Sequence, residues 1–557
     1  MKGRKVAAIV DAAVGFFALL VYLSMHTMLG FVGYFTFTAL PYLMGALLLA
    51  TATCAAILAL WKNNLVLLIV TFVWNGLMLL FSLGYFFGFL THYKGFLIEG
   101  GKIFAVYVFA AIVVYLCFFH AKVEFRAKRV LSVVLCAALV LTAILCFTDF
   151  RTIRINYLDD EAAVYAVGED YQIVWTTASP GSGEVDVGGR TYYDEYAGQL
   201  RTTDRVHKVT VPQDVLDEAK KYVVRSNAML SEQGFSGLFG YEVKREYSFR
   251  PVDETDGIQA YAISDSHDYT GVAARAAGYF GDKTDFVVLG GDAINYLETE
   301  QNLSTVLNLA HACTGGRIPC VFARGNHELK CDGSERLHRY VGSTGENFFY
   351  TFRLKNVWGV VLDMGEDHAD DWKEFYDTAI YTQYRERQID FLDGLIADKE
   401  NEYLSDGVDY RVGVCHVPTS FCQYDRDYAF DYLVRLNDRL NRMDLDVMLS
   451  GHYHEIFLAE DDYAAGQPLF YTESYGKTSS DPAYLATGAR YKTLLVSRRS
   501  YTQDVRVKEY VLGQEFVGTA IEFFGTEKTA RFTTAGKEVL FTQSPFEAIE
   551  YGKVIVL

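Results

Sequence analysis

The chain has no CxxC pair, no P-loop, no dinucleotide-binding fingerprint, no internal repeat and no low-complexity tract. The missing glycine-rich cradles exclude the common ATPase and nicotinamide-dependent classes. Of nine cysteines, Cys54, Cys117, Cys136 and Cys146 lie in apolar runs. The other five, Cys313, Cys320, Cys331, Cys415 and Cys422, are odd in number. Two pairings, Cys415 with Cys422 and Cys320 with Cys331, remain open in an oxidising compartment. No disulfide framework is implied, and unpaired buried thiols are expected. Basic charge is also scarce. Residues 1–150 hold 10 Lys+Arg against 4 Asp+Glu, so the net −18 of the whole chain leaves −24 on the remainder. Such an acidic remainder argues against nucleic-acid binding, which wants a basic face, and none is expected.

Charge is scarcest near the start. Five apolar runs cover about Val6–Met25, Phe35–Trp61, Leu65–Leu90, Ile103–His120 and Val130–Phe147, and Asp11 is their only charged residue. Most reach the roughly 20 residues that cross a bilayer. Residues 1–150 are therefore expected to be a polytopic transmembrane region of about five helices, with the lipid bilayer as partner. Lys2, Arg4, Lys5, Lys62, Lys122, Arg126, Lys128 and Arg129 fall on one side of that arrangement. The positive-inside bias makes this side cytoplasmic. Everything after Phe147 is then expected outside the cytoplasm, on a multi-pass plasma-membrane protein.

The second half carries five polar clusters: Asp265-Ser-His267, Gly291-Asp292, Gly325-Asn326-His327-Glu328, His416, and Gly451-His452-Tyr-His454. Each follows a run that reads as a buried strand: Ala260–Ser264, Phe286–Leu289, Cys320–Ala323, Val412–Cys415 and Val447–Ser450. Strand ends in an α/β sheet are where binding loops converge. Carboxylate, amide and imidazole together suit divalent transition metals. The set is complete for two ions. Asp265, His267 and His454 can hold one, Asn326, His416 and His452 the other, and Asp292 can bridge them. Two ions about 3.5–4 Å apart clamp an in-line displacement at phosphorus and generate hydroxide near neutral pH. His327 can protonate a leaving group, oriented by Glu328 or by a carboxylate outside the cage. Arg324 can meet substrate phosphate or solvent equally.

The order Asp-x-His, Gly-Asp, Gly-Asn-His-Glu, His, Gly-His-x-His resembles the calcineurin-like metallophosphoesterase superfamily, over roughly residues 256–500. The resemblance implies a four-layer α-β-β-α domain and a dinuclear centre of Mn, Fe, Zn or Ni. It also implies metal-dependent hydrolysis of a phosphorylated small-molecule or lipid-linked substrate by a metal-bound hydroxide. Asp292 and His327 would be its catalytic residues. A metal-stabilised sensing module without turnover, or a hydrolase of lipid-linked pyrophosphate, are the alternatives.

Residues 151–255 read as a small β-sandwich. Tyr171–Thr176, Glu184–Val187 and Val206–Val211 have strand character, and Ser179-Pro-Gly-Ser-Gly reads as a turn. Ile173-Val-Trp-Thr-Thr with Gly183-Glu-Val-Asp-Val-Gly resembles the fibronectin-III-like domain of purple acid phosphatases. In that family a tyrosine that binds ferric iron stands where this chain has Asn295, and Gly usually stands at His267, so a purple iron centre is not expected. Residues 501–557 read as a C-terminal β extension. The expected fold class is multi-domain: an N-terminal α-helical transmembrane bundle, a small β-sandwich, then the α/β four-layer domain.

Overall fold

The computed structural model describes residues 156–557, apart from 197, 232–237, 296–298, 331–332, 372–377, 424–428, 475–476, 497–515 and 543–549. It also describes 10–19 and six positions between 69 and 79. The chain divides into two compact units, Met1–Ile155 with Ala228–Tyr241, and Asn156–Asn227 with Glu242–Leu557. In the first unit residues 10–19 are helical, and the buried Asp11 accepts a hydrogen bond from Asn75 Nδ2 at 2.9 Å.

The second unit is built on two sheets. Its main strands, in chain order, are β1 (Ala163–Val167), β2 (Asp170–Val187), β3 (Ile258–Ile263), β4 (Phe286–Leu289) and β5 (Cys320–Phe322). They continue as β6 (Tyr350–Leu354), β7 (Val357–Leu362), β8 (Tyr410–Cys415), β9 (Val447–Ser450), β10 (Ile456–Ala459), β11 (Lys492–Val496), β12 (Val517–Phe524) and β13 (Glu527–Thr534). In the larger sheet the order runs β13-β12-β3-β4-β5-β1-β2, with β3, β4 and β5 parallel. In the smaller it runs β6-β7-β8-β9-β11-β10, with β7, β8, β9 and β11 parallel.

Side-chain alternation along these strands makes the layers. Ala260 and Ala262 of β3 face the core between the sheets, where Val412, Val414, Val447 and Leu449 meet them from the smaller sheet. Tyr261 and Ile263 face the other way, onto α1 (Thr270–Ala277) and α2 (Ser304–Thr314). Trp358, Val360 and Met448 point out of the smaller sheet onto α3 (Tyr381–Ala397) and α4 (Phe430–Leu440). Helix, sheet, sheet and helix thus stack in four layers, a mixed α/β arrangement with large sheets.

The expected fold class is corrected in one respect. Among the described residues no helix is long and apolar enough to cross a membrane. The five expected spans fall almost wholly outside those residues, so the orientation argument built on them has no span here to rest on. Within residues 151–255, expected as a small β-sandwich, β1 and β2 are joined to the larger sheet. β1 pairs in parallel with β5 through Tyr165 and Cys320, and β2 pairs with β1 from Ala163↔Val174 to Val167↔Asp170. This segment extends the sheet that carries the site. The expected turn at Ser179-Pro-Gly-Ser-Gly is instead interior to the 18-residue β2. Its register to the strand Thr203–Pro212 breaks between Thr176 and Gly181. Pro180 is exposed at that irregularity, a place where a sheet tolerates a residue without an N–H.

At the other edge β12 pairs antiparallel with β3, so the C-terminal residues add strands to the same sheet. The strand-like run expected at 505–511 lies outside the described residues. Cys313, Cys320 and Cys415 are free thiols.

Candidate metal centre

All five clusters leave the C-terminal ends of parallel strands. Asp265 and His267 follow β3, Asp292 follows β4, Asn326 and His327 follow β5, His416 follows β8, and His452 and His454 follow β9. The parallel registers β3/β4/β5 and β8/β9 bring these ends to one edge of the two-sheet core.

The loops there are unusually strained. Among the described residues ten non-glycine residues have positive φ, and six are Asp265, His267, Asp268, Asp292, His452 and His454. Left-handed backbone costs free energy in an L-residue and persists where surroundings impose it. The neighbouring glycines allow the crowding. A Cβ on Gly291 would lie 2.6 Å from Gly325 N and 2.8 Å from His416 Nδ1. On Gly325 it would overlap Asp292 Oδ1, and on Gly451 it would overlap Ser264 Oγ.

Seven side chains converge in two groups. In the first, His454 Nε2 lies 3.0 Å from His267 Nε2 and 3.4 Å from Asp265 Oδ1. His267 Nε2 is 4.0 Å from Asp265 Oδ1 and 3.9 Å from Asp292 Oδ2. In the second, Asn326 Oδ1 lies 3.2 Å from both His416 Nε2 and His452 Nδ1. His416 Nε2 is 3.2 Å from Asp292 Oδ2, so Asp292 faces both groups. Asp265, Asp292 and Glu328 are 0%, 1% and 0% exposed. Buried carboxylates need paired cations or metal. Imidazoles face Asp265 and Asp292, the backbone N–H of His452 donates to Asp265 and that of His327 to Asp292, and one amide oxygen and four histidine nitrogens converge beside them. That donor set fits divalent cations.

Electrostatics separates the histidines. Burial pushes His267 down to about 4 despite the nearby Asp292 and Asp265. Burial would also lower His416, but the Asp292 carboxylate outweighs it and carries the imidazole up to about 10. His452 is raised against burial by Asp367. Asp265 and Asp292 are held below the usual carboxylate range against burial, by His454 and His416 respectively.

His327 sits beside the two groups, with Nε2 3.9 Å from Asp292 Oδ2. Its Nδ1 lies 2.6 Å from the Asn295 carbonyl, so Nδ1 carries the proton. Orientation of His327 therefore comes from a backbone carbonyl, rather than from Glu328. Glu328 instead accepts backbone N–H bonds from Asp292 (2.9 Å), Ala293 (2.7 Å) and Gly325 (2.8 Å), tying two of the loops together. Burial, with Asp292 close by, raises Glu328 to about 7. Arg324 is engaged within the protein. Its guanidinium pairs with Asp363 at 2.5 Å and lies 4.3 Å over the Phe348 ring.

Two residues were missed from sequence. Asp367 Oδ2 is 3.1 Å from His452 Nε2, and Glu366 Oε2 accepts from Asn326 Nδ2 at 2.7 Å. Both follow β7 in Asp363-Met-Gly-Glu-Asp367, an apolar strand followed by glycine and carboxylates. This is the signal that marked the other clusters.

Residues 258–455 match the family model for calcineurin-like phosphoesterase. No curated protein matches. Among solved structures, a purple acid phosphatase from yellow lupin (Lupinus luteus) seeds is 9% identical, with a TM-score of 0.40 over 69% of this chain and 74% of that one. PhoD is 13% identical, with a TM-score of 0.39 over 71% and 89%. The phosphopantetheinyl hydrolase of Mycobacterium tuberculosis is 14% identical, with a TM-score of 0.25 over 46% and 94%. Residues 258–455 are a calcineurin-like phosphoesterase domain, and the protein is a metal-dependent phosphoester hydrolase.

Proposed function

We propose that the domain hydrolyses phosphate esters with two divalent ions. Asp265, His267 and His454 hold one ion, Asn326, His416 and His452 hold the other, and Asp292 is shared. The observation that carries this reading is the place of Asp292 Oδ2, 3.2 Å from His416 Nε2 and 3.9 Å from both His267 Nε2 and His327 Nε2. One carboxylate oxygen thus faces both ligand groups and the candidate acid. Such ions, when bound, supply Lewis acidity to a phosphoryl oxygen and lower the pKa of water.

The protein's own groups do the rest. Asp265 and Asp292 set a fixed negative charge that places the cations. Glu328 ties the loops after β4 and β5 together, so Asp292 and Asn326 keep their spacing. His327, with Nδ1–H given to the Asn295 carbonyl, turns Nε2 toward the cleft. In its protonated form Nε2–H can pass a proton to the departing oxygen, which is general-acid assistance.

The test uses the full chain, stripped with chelator and titrated with Mn, Zn, Fe or Ni. Hydrolysis of nitrophenyl phosphate and bis-nitrophenyl phosphate is followed. Activity restored in step with metal supports the reading, and the ratio of the two rates gives the ester class. Metal binding without hydrolysis of either ester contradicts it.

A further inference from the structure

The half of the site formed by Asn326, His416 and His452 has a chemical ambiguity that the other half lacks. Asn326 can present either its carbonyl oxygen or its NH2 group, and only the oxygen can bind a cation. His452 can present either ring nitrogen with or without a proton. Each ambiguity is met by a carboxylate from one loop. Asn326 Nδ2 donates to Glu366 Oε2 at 2.7 Å, which turns Oδ1 toward His416 Nε2 and His452 Nδ1. His452 Nε2 lies 3.1 Å from Asp367 Oδ2, which draws the ring proton to Nε2 and leaves the Nδ1 lone pair facing inward. His416 is treated the same way by a backbone group, its Nδ1 lying 2.7 Å from the Gly290 carbonyl.

The loop that carries the two carboxylates is itself fixed. Arg385 donates to the carbonyl oxygens of Met364 and Glu366. Asp363 N donates to Gln388 Oε1 at 2.8 Å. Lys330 Nζ stands 3.6 Å from Glu366 Oε2 and offsets its charge. Glu366 and Asp367 are 2% and 5% exposed. A carboxylate held this firmly can impose an orientation on its partner.

We infer that Glu366 and Asp367 are positioning residues for one of the two ion sites. Glu366 selects the end of the Asn326 amide that faces the ion, and Asp367 selects the ring nitrogen of His452 that does so. This rests on the two-ion reading above. The competing possibility is that Glu366, Asp367 and His452, whose ligand atoms lie within 4.8 Å of one another, take a separate cation of their own.

Calorimetric titration of the metal-stripped full chain with Mn2+ separates these cases. The unsubstituted chain should take two equivalents. Asp367→Ala should bind one equivalent with unchanged affinity and the other about 10–100-fold more weakly, the usual effect of removing a partner behind a ligand. Asp367→Asn should regain most of that loss, because its amide oxygen still accepts from Nε2–H. Glu366→Ala should weaken the same single equivalent, and carries the test if Asp367→Ala does not fold. Equal weakening of both equivalents, or of neither, overturns the inference. So does a third equivalent in the unsubstituted chain that Asp367→Ala alone removes. If the unsubstituted chain binds no Mn2+, the two-ion reading fails first. If it binds two and the variants match it, only the positioning role fails.

Discussion

The two halves of the metal centre are organised by different means. In the half formed by Asp265, His267 and His454, all three residues have positive φ, at 54°, 43° and 54°. Nδ1 of His267 is buried without a hydrogen-bond partner among the described residues. The positions there are set by the path of the backbone. In the other half only His452 has positive φ, at 75°, and Asn326 has ordinary helical backbone, φ −72°. Hydrogen bonds to Glu366, Asp367 and the Gly290 carbonyl aim its three side chains. The difference predicts how each half fails. Backbone-set ligands are sensitive to glycine replacement nearby, and hydrogen-bond-set ligands are sensitive to loss of the partner behind them.

The largest effect should come from the residue common to both halves. Asp292→Ala should lower turnover by more than about 100-fold, beyond the range for an outer partner. It should weaken both ions, measured by metal content and nitrophenyl phosphate hydrolysis. Normal activity would remove the shared carboxylate from the account.

Next is Gly451→Ala. The added methyl would overlap Ser264 Oγ and lie 2.5 Å from Asp265 Oδ2. Overpacking of this kind costs about 1–3 kcal/mol. The ion held by Asp265 should weaken most, read by titration beside Asp367→Ala, which should weaken the other. Identical patterns in the two variants would erase the distinction between halves.

Glu328→Gln removes the charge that three backbone N–H groups share and leaves one of its oxygens replaced by a donor. A loss of about 1–3 kcal/mol in unfolding free energy is expected, measured by denaturant titration of the metal-stripped chain.

A further effect is in pH. His416 is raised from 6.5 to about 10 in the folded, metal-stripped protein. A raised folded pKa means that its contribution to stability is fully present below about 6.5 and is lost as pH rises through about 10. The melting temperature of the stripped chain should therefore fall across that window. Metal uptake must also displace the His416 proton near neutral pH, so binding at its half should strengthen as pH rises. His267, pushed down to about 4, already presents neutral nitrogen to its half at neutral pH. A melting temperature flat from pH 6.5 to 10 would count against the His416–Asp292 contact.

These contrasts also show what was legible in the sequence. Local signals placed the site, because an apolar run ending in Gly, Asp, Asn or His marks a strand with a functional end. Phe286–Leu289 and Val447–Ser450 occur with those bounds. The same signal at Val357–Leu362 with Asp363–Asp367 went unused, since it holds no histidine and completes no ligand set by itself. What local pattern could not carry was long-range pairing. The contact of Tyr165 with Cys320 joins residues far apart in the chain, and nothing near either announces it. The joining of β1 and β2 to the sheet that carries the site was therefore not legible in the sequence. Likewise Pro180 and its glycines read as a turn, because sequence does not reveal that Pro180 faces solvent at an irregular point of one long strand.

The most direct measurement of the central claim is electron paramagnetic resonance of the full chain loaded with Mn2+. Two ions sharing Asp292 should appear as two bound equivalents with an exchange-coupled spectrum. That coupling should vanish in Asp292→Ala. One bound equivalent, or two with the spectra of isolated ions, would contradict a shared two-ion centre.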